Sequence, residues 1–326
     1  MGGAGDRRGP ARCGGAAVAV NFDTLAVPAI AAPMFMISCP DLVVACCASG
    51  VIGSFPALNR RDTEGYVAWL AEIRERLARH ENPAPFAVNL SLKRGSARLE
   101  ADLAATVAAK VPIVLTSLGI SRDVVARIHE YGGIVLHDVI GQRHAEKASE
   151  AGVDGLILVC AGAGGHAGRL NPFAFLAQTR SWFAGSTVLA GGITSGRDIA
   201  AARMMGADLV SIGTRFIATR EGNATDAYKA MILAARAEDI AYTAAMTGVP
   251  ASFLSASLAE WSIDPDTADN PGIDIATRTL RFAGREGKVW RDVWSAGQGA
   301  GAIRDIPGAA ELCARLASEY RAVIAA

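Results

Sequence analysis

The sequence predicts an α/β protein built on a (β/α)8 barrel. Short apolar runs alternate with longer amphipathic stretches between about residues 25 and 215. Eight such runs occur, and eight parallel strands that each lead into a helix close a TIM barrel. The helical period is clear in Thr63–Arg79, where apolar residues recur at spacings of three and four. The predicted strands are Pro28–Ala32, Val51–Gly53, Phe86–Asn89, Ile113–Thr116, Ile134–His137, Gly155–Val159, Thr187–Ala190 and Leu209–Ile212.

A local repeat supports the same fold. EAGVDGLILV (Glu150–Val159) and MMGADLVSIG (Met204–Gly213) share a helix end, a glycine, a small residue, an aspartate and an apolar strand. Gly152 and Gly206 occupy the position at which the end of a helix favours a positive φ. The repeat therefore predicts two equivalent helix-to-strand turns of one barrel.

The character of the chain changes after Phe216. Ala224–Ala237 and Ala256–Trp261 predict helices that cover the barrel mouth, and Ala309–Ile324 predicts a long final helix that closes the scaffold. Four segments are expected: a disordered N-terminal tail (1–20), the barrel (21–218), a helical lid on the substrate side (219–290) and a return to the barrel (291–326).

The composition excludes several classes of protein. Hydrophobic residues make up 51% of the chain, and Lys plus Arg equal Asp plus Glu at 32 each. A neutral chain without a basic run does not fit a nucleic-acid-binding protein. No apolar run approaches the roughly 20 residues that span a bilayer, so a cytoplasmic protein without membrane contact is expected. The six cysteines show no CxxC spacing, which argues against a metal site.

The loop after the sixth predicted strand contains the candidate catalytic residue. Barrel enzymes carry their chemistry at the C-terminal ends of the strands. This strand ends in CAGAGGHAG, Cys160 to Gly168, where four glycines surround His166. Each glycine costs about 0.5–1 kcal/mol in conformational entropy, so a cluster indicates close approach of the backbone to a ligand. An imidazole, with a pKa of about 6.5, suits proton transfer at neutral pH. The other interpretation is a mobile loop with an incidental histidine.

A dinucleotide-binding interpretation of this loop fails. Gly162, Gly164 and Ala167 match G-x-G-x-x-A after a strand, but that fingerprint needs an acidic residue about 20 positions later. No Asp or Glu occurs between His166 and Asp198.

Glycines also follow the last two predicted strands. Strand seven leads into Gly191 and Gly192, with Thr194–Ser195 at the expected helix start, and strand eight leads into Gly213 and Thr214. Exposed N–H groups at such turns and at helix N-termini bind anions, and barrels use the loops after strands seven and eight for phosphate. These turns therefore predict a phosphate site.

Six short motifs occur in a specific order. They are APM (Ala32, Pro33, Met34), FAVNL around Asn89, AGGHAG around His166, AGGI at Ala190–Ile193, GTRF at Gly213–Phe216 and SAGQGAG at Ser295–Gly301. In this order and spacing they resemble the nitronate monooxygenase or 2-nitropropane dioxygenase-like flavoproteins, over about residues 22–310.

The resemblance implies a (β/α)8 barrel that binds FMN non-covalently and oxidises nitronates or nitroalkanes with O2. It also implies a role for each matching residue. The residues expected to contact the cofactor are Ala32, Pro33 and Met34 along the flavin ring, Asn89 as its hydrogen-bond partner, Gly165 and His166 on the substrate side, Gly191, Gly192, Gly213 and Thr214 at the phosphate, and Gln298 as a further contact.

Two positions depart from the pattern of some relatives. Asp138 follows strand five where those relatives carry lysine, which leaves a cationic contact to the flavin from this turn in doubt. Ala190 replaces a serine and removes one hydroxyl contact. His137 is expected to be a packed, hydrogen-bonded residue rather than a second active-site group. Three further histidines lie on charged helical faces and are expected to be solvated: His80, His129 and His144.

Two other functions stay open at this stage. A flavin-dependent NAD(P)H reductase of the same superfamily, of the enoyl-ACP or quinone type, shares the Gly-Gly-His turn. A flavin-binding subunit without turnover would leave His166 unexplained. The expected partners are a small molecule, a nitronate or another carbon acid, and O2. A homodimer is left open, and the sequence does not identify the physiological substrate.

Overall fold

The structure is a computed structural model that describes residues 22–93, 95–267, 270, 272–282 and 284–326. The predicted tail, residues 1–20, lies outside the described residues. Eight parallel strands form a closed barrel in chain order, which confirms the predicted fold class. The barrel strands are β1 (Ala29–Ala31), β2 (Ile52–Pro56), β3 (Ala87–Ser91), β4 (Ile113–Ser117), β5 (Ile134–Val139), β6 (Gly155–Val159), β7 (Ser186–Ala190) and β8 (Leu209–Ile212).

A helix follows each barrel strand, and none of the described helices is long and apolar enough to cross a membrane. The helices are α1 (Pro40–Ala48), α2 (Thr63–Leu77), α3 (Leu99–Ala108), α4 (Arg122–Glu130), α5 (Gln142–Glu150), α6 (Pro172–Arg180), α7 (Gly196–Met204), α8 (Thr214–Ile217), α9 (Asp226–Ala234), α10 (Ser255–Ala259) and α11 (Ala309–Ile324), with short 3-10 turns at Phe22–Thr24, Ala57–Asn59, Ala237–Asp239 and Gln298–Ala302.

The final helix α11 closes the scaffold, as predicted. It packs against α1 and α7. The carboxylate of Glu319 accepts a hydrogen bond from the backbone N–H of Gly196, the first residue of α7, at 2.7 Å.

The strands are apolar on both faces because the helices cover the outer one. On β5, Leu136 belongs to the core inside the barrel, and Val135 belongs to the core between strands and helices. Side chains alternate along a strand, so Asp138 also points inward, at the C-terminal end of the barrel. The same alternation turns Asn89 on β3 and Ser117 on β4 toward the mouth.

The repeated turns have the predicted conformation. Gly152 follows the end of α5 with φ +87°, and Gly206 follows the end of α7 with φ +100°. Each leads into a barrel strand three residues further on, so the two copies of the motif are equivalent units of the barrel.

The lid segment, residues 219–290, is mixed rather than helical, which corrects the prediction. The two predicted helices are present as α9 and α10, but five short strands accompany them. Strands of two to four residues are too short to show an alternating pattern in the sequence. One antiparallel sheet contains Ile240–Thr243, Ala251–Leu254 and Gly165–His166, and a second contains Ile273–Asp274, Thr279–Phe282 and Arg285–Lys288.

Candidate active site

A cavity of about 1170 Å³ opens at the C-terminal ends of the barrel strands. Small-molecule sites commonly measure about 300–1,000 Å³, so this cavity has room for a cofactor-sized ligand and a smaller molecule beside it. The structure brings every residue of the predicted site to its walls except Gln298: Ala32, Pro33, Met34, Asn89, Gly165, His166, Gly191, Gly192, Gly213 and Thr214.

Gln298 lies at the edge of this arrangement. Its side chain is exposed and lines a second, smaller cavity of about 580 Å³, which shares Gly192, Thr194 and Gly299 with the first. The backbone N–H of Gln298 donates to the Gly162 carbonyl at 2.9 Å. That bond ties the late chain segment to the glycine-rich loop after β6.

The turns after β7 and β8 present backbone donors to the cavity. Gly192 has φ +71°, and a Cβ there would meet no protein atom within 4 Å, so the space beside it is open cavity. Gly213 has φ −100° and faces Ala32 and Met34. Among the described residues, the backbone N–H groups of Gly192 and Gly213 have no protein acceptor. Two such groups at neighbouring strand ends form a cradle suited to phosphate.

The helix start after β7 contributes less to this cradle than the sequence predicts. The carboxylate of Asp198 accepts hydrogen bonds from the backbone N–H groups of Thr194 and Ser195, both at 2.9 Å, and from the Thr194 hydroxyl at 3.1 Å. These donors cap the first turn of α7, so they are occupied within the protein. The backbone donors that remain available to a phosphate are therefore those of the glycine turns.

The Thr214 hydroxyl is oriented by the end of the chain. Its Oγ1 accepts a hydrogen bond from the backbone N–H of Gly297 at 2.9 Å. A hydroxyl that accepts one bond still carries its own proton. Thr214 therefore has a donor left for a ligand anion, as the prediction requires.

The loop after β1, which lies beside the turn after β8, and the end of β3 shape further parts of the cavity wall. Asn59 holds this loop through a hydrogen bond from its side-chain amide to the Met34 carbonyl at 3.1 Å. The amide NH₂ of Asn89 donates to the Leu115 carbonyl and to the Ser117 hydroxyl, both at 3.3 Å. Oδ1 of Asn89 is then left to accept a hydrogen bond from a ligand.

His166 lies on a strand of the lid sheet, opposite Ala251. Its Nε2 lies 3.2 Å from Oγ1 of Thr247, and that hydroxyl donates its proton to the Val249 carbonyl at 2.8 Å. The hydroxyl can therefore only accept from His166, which assigns the proton of the neutral ring to Nε2 and leaves Nδ1 as a proton acceptor. The ring of Trp290 packs edge-on against the imidazole, with centroids 5.3 Å apart.

The residues on both sides of His166 are also fixed by later parts of the chain. The backbone N–H of Gly165 donates to Oγ of Ser295 at 2.7 Å, and the hydroxyl of Tyr242 donates to the Ala167 carbonyl at 2.8 Å. Oγ of Ser295 in turn donates to the Ser252 carbonyl at 2.7 Å. These bonds hold three consecutive residues and argue against the mobile-loop interpretation.

The electrostatic environment keeps His166 neutral. Burial lowers the pKa of the imidazole, and the nearby positive charge of Arg278 lowers this pKa further. A lowered pKa increases the fraction of unprotonated ring at neutral pH, which is the form that can accept a proton.

The two residues at the end of β5 play different structural roles. His137 is buried, and its Nδ1 lies 2.7 Å from the Thr116 hydroxyl, as expected for a packed, hydrogen-bonded histidine. Burial, with a smaller effect of His144, lowers the pKa of His137 to about 4. Asp138 lies in the cavity wall, and burial raises its pKa to about 7. A carboxyl group with this pKa is largely uncharged in slightly acidic solution.

The other histidines partly depart from expectation. His80 and His144 are exposed, as predicted, although His144 also lines the cavity. His129 is half-buried, and its Nε2 lies 2.8 Å from the Asp154 carboxylate, so it is a hydrogen-bonded rather than a fully solvated side chain.

Several residues that line the cavity were not predicted from the sequence. Tyr242, Arg278 and Trp290 come from the lid segment, and they reach the cavity only through long-range pairing of short strands. Trp290 has φ +74° and Arg278 has φ +54°, and neither sits in a recognisable motif. Among the described residues, no group of three or more His, Cys, Asp or Glu side chains is arranged to hold a metal ion.

Comparison with known proteins agrees with this geometry. The model of the nitronate monooxygenase family matches residues 72–319. The nitronate monooxygenase of Pseudomonas aeruginosa is 30% identical over 90% of this chain and 96% of its own length. The nitronate monooxygenase of Paraburkholderia phytofirmans is 28% identical over 90% of this chain and 92% of its own. The solved structure of a nitroalkane oxidase from Streptomyces ansochromogenes has a TM-score of 0.76 at 25% identity, and the match covers 93% of this chain and 98% of that one. The chain therefore belongs to the nitronate monooxygenase family.

Proposed function

We propose that this chain binds FMN in the cavity and oxidises nitronates and nitroalkanes with O2. The observation that carries the proposal is the setting of His166, a neutral imidazole in the wall of a cavity that also presents a phosphate cradle. Membership of the nitronate monooxygenase family supports the choice of substrate.

The residues present fit FMN. The bare N–H groups of Gly192 and Gly213 and the hydroxyl of Thr214 suit one phosphate group. Ala32, Pro33 and Met34 offer an apolar wall for a planar ring, and Oδ1 of Asn89 offers an acceptor at its edge. When bound, FMN supplies the redox chemistry and the reaction with O2.

The protein itself moves a proton and stabilises charge. Nδ1 of His166 is the acceptor for the α-proton of a nitroalkane, because Nε2 already carries a proton held by Thr247. The product of this step is a nitronate anion beside an imidazolium. The guanidinium of Arg278, which lines the same cavity, adds a second positive charge near the anion. A preformed nitronate has already lost this proton, so the protein needs only to bind and orient it.

The test is anaerobic mixing of the FMN-loaded protein with a nitronate and, separately, with NADH and NADPH, while the flavin absorbance is recorded. Rapid bleaching by the nitronate alone is expected. Rapid bleaching by a pyridine nucleotide, with a slow response to the nitronate, would replace the proposal with the NAD(P)H reductase alternative.

The cofactor is tested separately by denaturing the purified yellow protein and identifying the released flavin by chromatography. FMN is expected because the cavity has one phosphate cradle. Release of FAD, or failure of the colourless protein to take up FMN, would contradict the cofactor assignment.

A further inference from the structure

The mouth of the cavity carries basic side chains that the proposed FMN site does not use. Lys93 follows β3, His144 and Lys147 lie one turn apart on α5, and Arg278 lies in the lid segment. The chain as a whole has zero net charge. Among the described residues that line the cavity, Asp138 is the only acid. The mouth is therefore a local positive region on a neutral protein.

These basic groups are also unpaired. Several basic side chains elsewhere are ion-paired, as Arg76 is with Asp41 at 2.7 Å and Arg127 is with Glu100 at 2.9 Å. In the part of the chain that the structure describes, no carboxylate lies within ion-pair distance of Lys93 or Lys147, and both side chains are exposed. A concave surface lined by positive charges attracts anionic ligands.

The position of the lysines separates them from the phosphate cradle. In the closed eight-stranded barrel, Lys93 follows β3, which lies four strands from β7 and three from β8. Lys147 lies on α5 after β5, which is two strands from β7 and three from β8, so neither lysine follows a strand next to the cradle. A phosphate at Gly192 and Gly213 therefore does not account for Lys93 and Lys147. The lysines fit a second anionic group.

Apolar side chains accompany these cations on the same rim. Leu118 follows β4 and Ile140 follows β5, and their side chains are 48% and 41% exposed. Isolated exposed apolar residues are ordinary, but clusters at a concave surface mark binding sites. Of thirteen large apolar side chains exposed among the described residues, five lie at this one cavity: Phe35, Leu58, Leu118, Ile140 and Val249.

We propose that the rim formed by the loops after β3, β4 and β5 binds an amphiphilic anion, with its carboxylate or phosphate at Lys93 and Lys147 and its hydrocarbon chain along Leu118 and Ile140. The reacting end of such a substrate then points toward His166. This last assignment rests on the proposed function, whereas binding at the rim does not.

The first experiment is calorimetric titration of the purified protein with octanoate, octyl phosphate, octanol, butyrate and inorganic phosphate. Octanoate or octyl phosphate is expected to bind at least about tenfold more tightly than octanol, butyrate or inorganic phosphate. The stronger of the two eight-carbon anions identifies the head group. Added salt should weaken binding of the anions but not of octanol.

Variants with matched controls test the residues. Lys93→Gln combined with Lys147→Gln should weaken anion binding by about 5- to 20-fold and leave octanol unchanged, because exposed ion pairs contribute up to about 1 kcal/mol each. Lys110→Gln, an exposed lysine at the other end of the barrel, is the control. Leu118→Gln should weaken all the eight-carbon ligands, and Val67→Gln on the outer face of α2 should not.

Equal binding of octanoate and octanol, or unchanged octanoate affinity in the double lysine variant, would overturn the anion site. Equal binding of octanoate and butyrate would overturn the proposal that the hydrocarbon chain binds along Leu118 and Ile140. Because the readout is binding, these outcomes are distinguishable from failure of the proposed function, which is judged by bleaching of the flavin with a nitronate.

Discussion

Oγ1 of Thr247 accepts a hydrogen bond from Nε2 of His166 at 3.2 Å while donating its own proton to the Val249 carbonyl. This relationship fixes the tautomer of the ring without a carboxylate. An acidic partner would raise the pKa of the imidazole, whereas a neutral hydroxyl leaves it lowered by burial and by Arg278. The ring is therefore held in the form that accepts a proton.

His166→Asn should separate proton abstraction from the later chemistry. The asparagine amide cannot accept a proton near neutral pH, so the rate with a nitroalkane should fall by about 100- to 10,000-fold. The preformed nitronate needs no proton abstraction, so its rate should fall much less. Steady-state rates with both substrates at equal flavin content measure the difference, and His80→Asn on the exposed surface is the control. Equal losses with both substrates would show that His166 acts in positioning or charge stabilisation instead.

Thr247→Val should weaken the orientation of the base without removing it. Loss of one hydrogen bond of about 0.5–1.5 kcal/mol predicts a three- to tenfold lower rate with a nitroalkane. The acidic limb of the pH profile should also shift, since Nε2 loses its acceptor, and Thr247→Ser should restore the profile. A fall in rate with no change in the pH profile and no rescue by serine would indicate a purely structural role.

Gly213→Val should release the cofactor while the barrel stays folded. The φ of Gly213 is −100°, so a branched side chain causes no left-handed strain there, and a Cβ would lie 3.7 Å from that of Ala32. The added carbons instead enter the proposed phosphate space, and the dissociation constant for FMN should rise about tenfold or more. Gly141→Val is the control, because its φ of −177° and empty surroundings tolerate a side chain. Equal FMN affinities of the two variants, measured by flavin titration, would contradict the proposed phosphate site.

Asp138 should make nitronate binding depend on pH. Burial raises the pKa of its carboxyl to about 7, so the group is mainly neutral below pH 7 and negative above it. Its register partner, Ile157 on β6, carries no charge that could offset this. The KM for the nitronate anion should therefore rise above pH 7 in the natural protein and stay flat in Asp138→Asn. The same KM profile in both proteins would contradict the assignment.

The raised pKa also has a consequence for stability. The folded state holds the proton of Asp138 to higher pH than the unfolded state, so its contribution to stability falls as the pH rises from about 4 through 7. The melting temperature of Asp138→Asn relative to the natural protein should accordingly increase over that range. A difference that stays constant from pH 4 to pH 8 would mean that the carboxyl does not titrate within it.

Asp198→Ala should lower the free energy of unfolding by about 1–2 kcal/mol, because the carboxylate caps two backbone N–H groups and one hydroxyl. Asp198→Asn keeps an acceptor oxygen and should lose less. The midpoint of urea denaturation measures both changes. Midpoints unchanged from the natural protein in both variants would mean that the cap contributes no stability.

The sequence predicts the barrel well because its signals are local. Every barrel strand is an apolar run beside a turn, and all eight predictions overlap an observed strand. The largest error is at β2, predicted to end at Gly53 but ending at Pro56. Ser54 and Pro56 resemble turn residues, but the Ser54 hydroxyl is satisfied by the Ala31 carbonyl and Pro56 is the last residue of the strand.

The site is predicted only as far as its motifs extend. Gly192, Gly213 and His166 lie in glycine-rich turns whose chemistry can be read directly, and all three line the cavity. Trp290 and Thr247 contact His166 from more than 80 positions away in the sequence. The lid strands that bring these residues to His166 are only two to four residues long. The sequence therefore shows no pattern that predicts how these strands pair.

The strand that carries His166 belongs to the lid sheet and not to the barrel. The lid sheet therefore holds His166 and also forms the outer wall of the proposed substrate space. The glycine turns of the proposed phosphate site belong to the barrel instead. A chimera that exchanges residues 219–290 with a relative is expected to reposition His166 along with the pocket, unless the hydrogen bond of Tyr242 to Ala167 and the pairing of Ala251 with His166 are kept. Substitutions at Leu118 and Ile140, which lie on the barrel loops, are therefore expected to change ligand preference without moving His166.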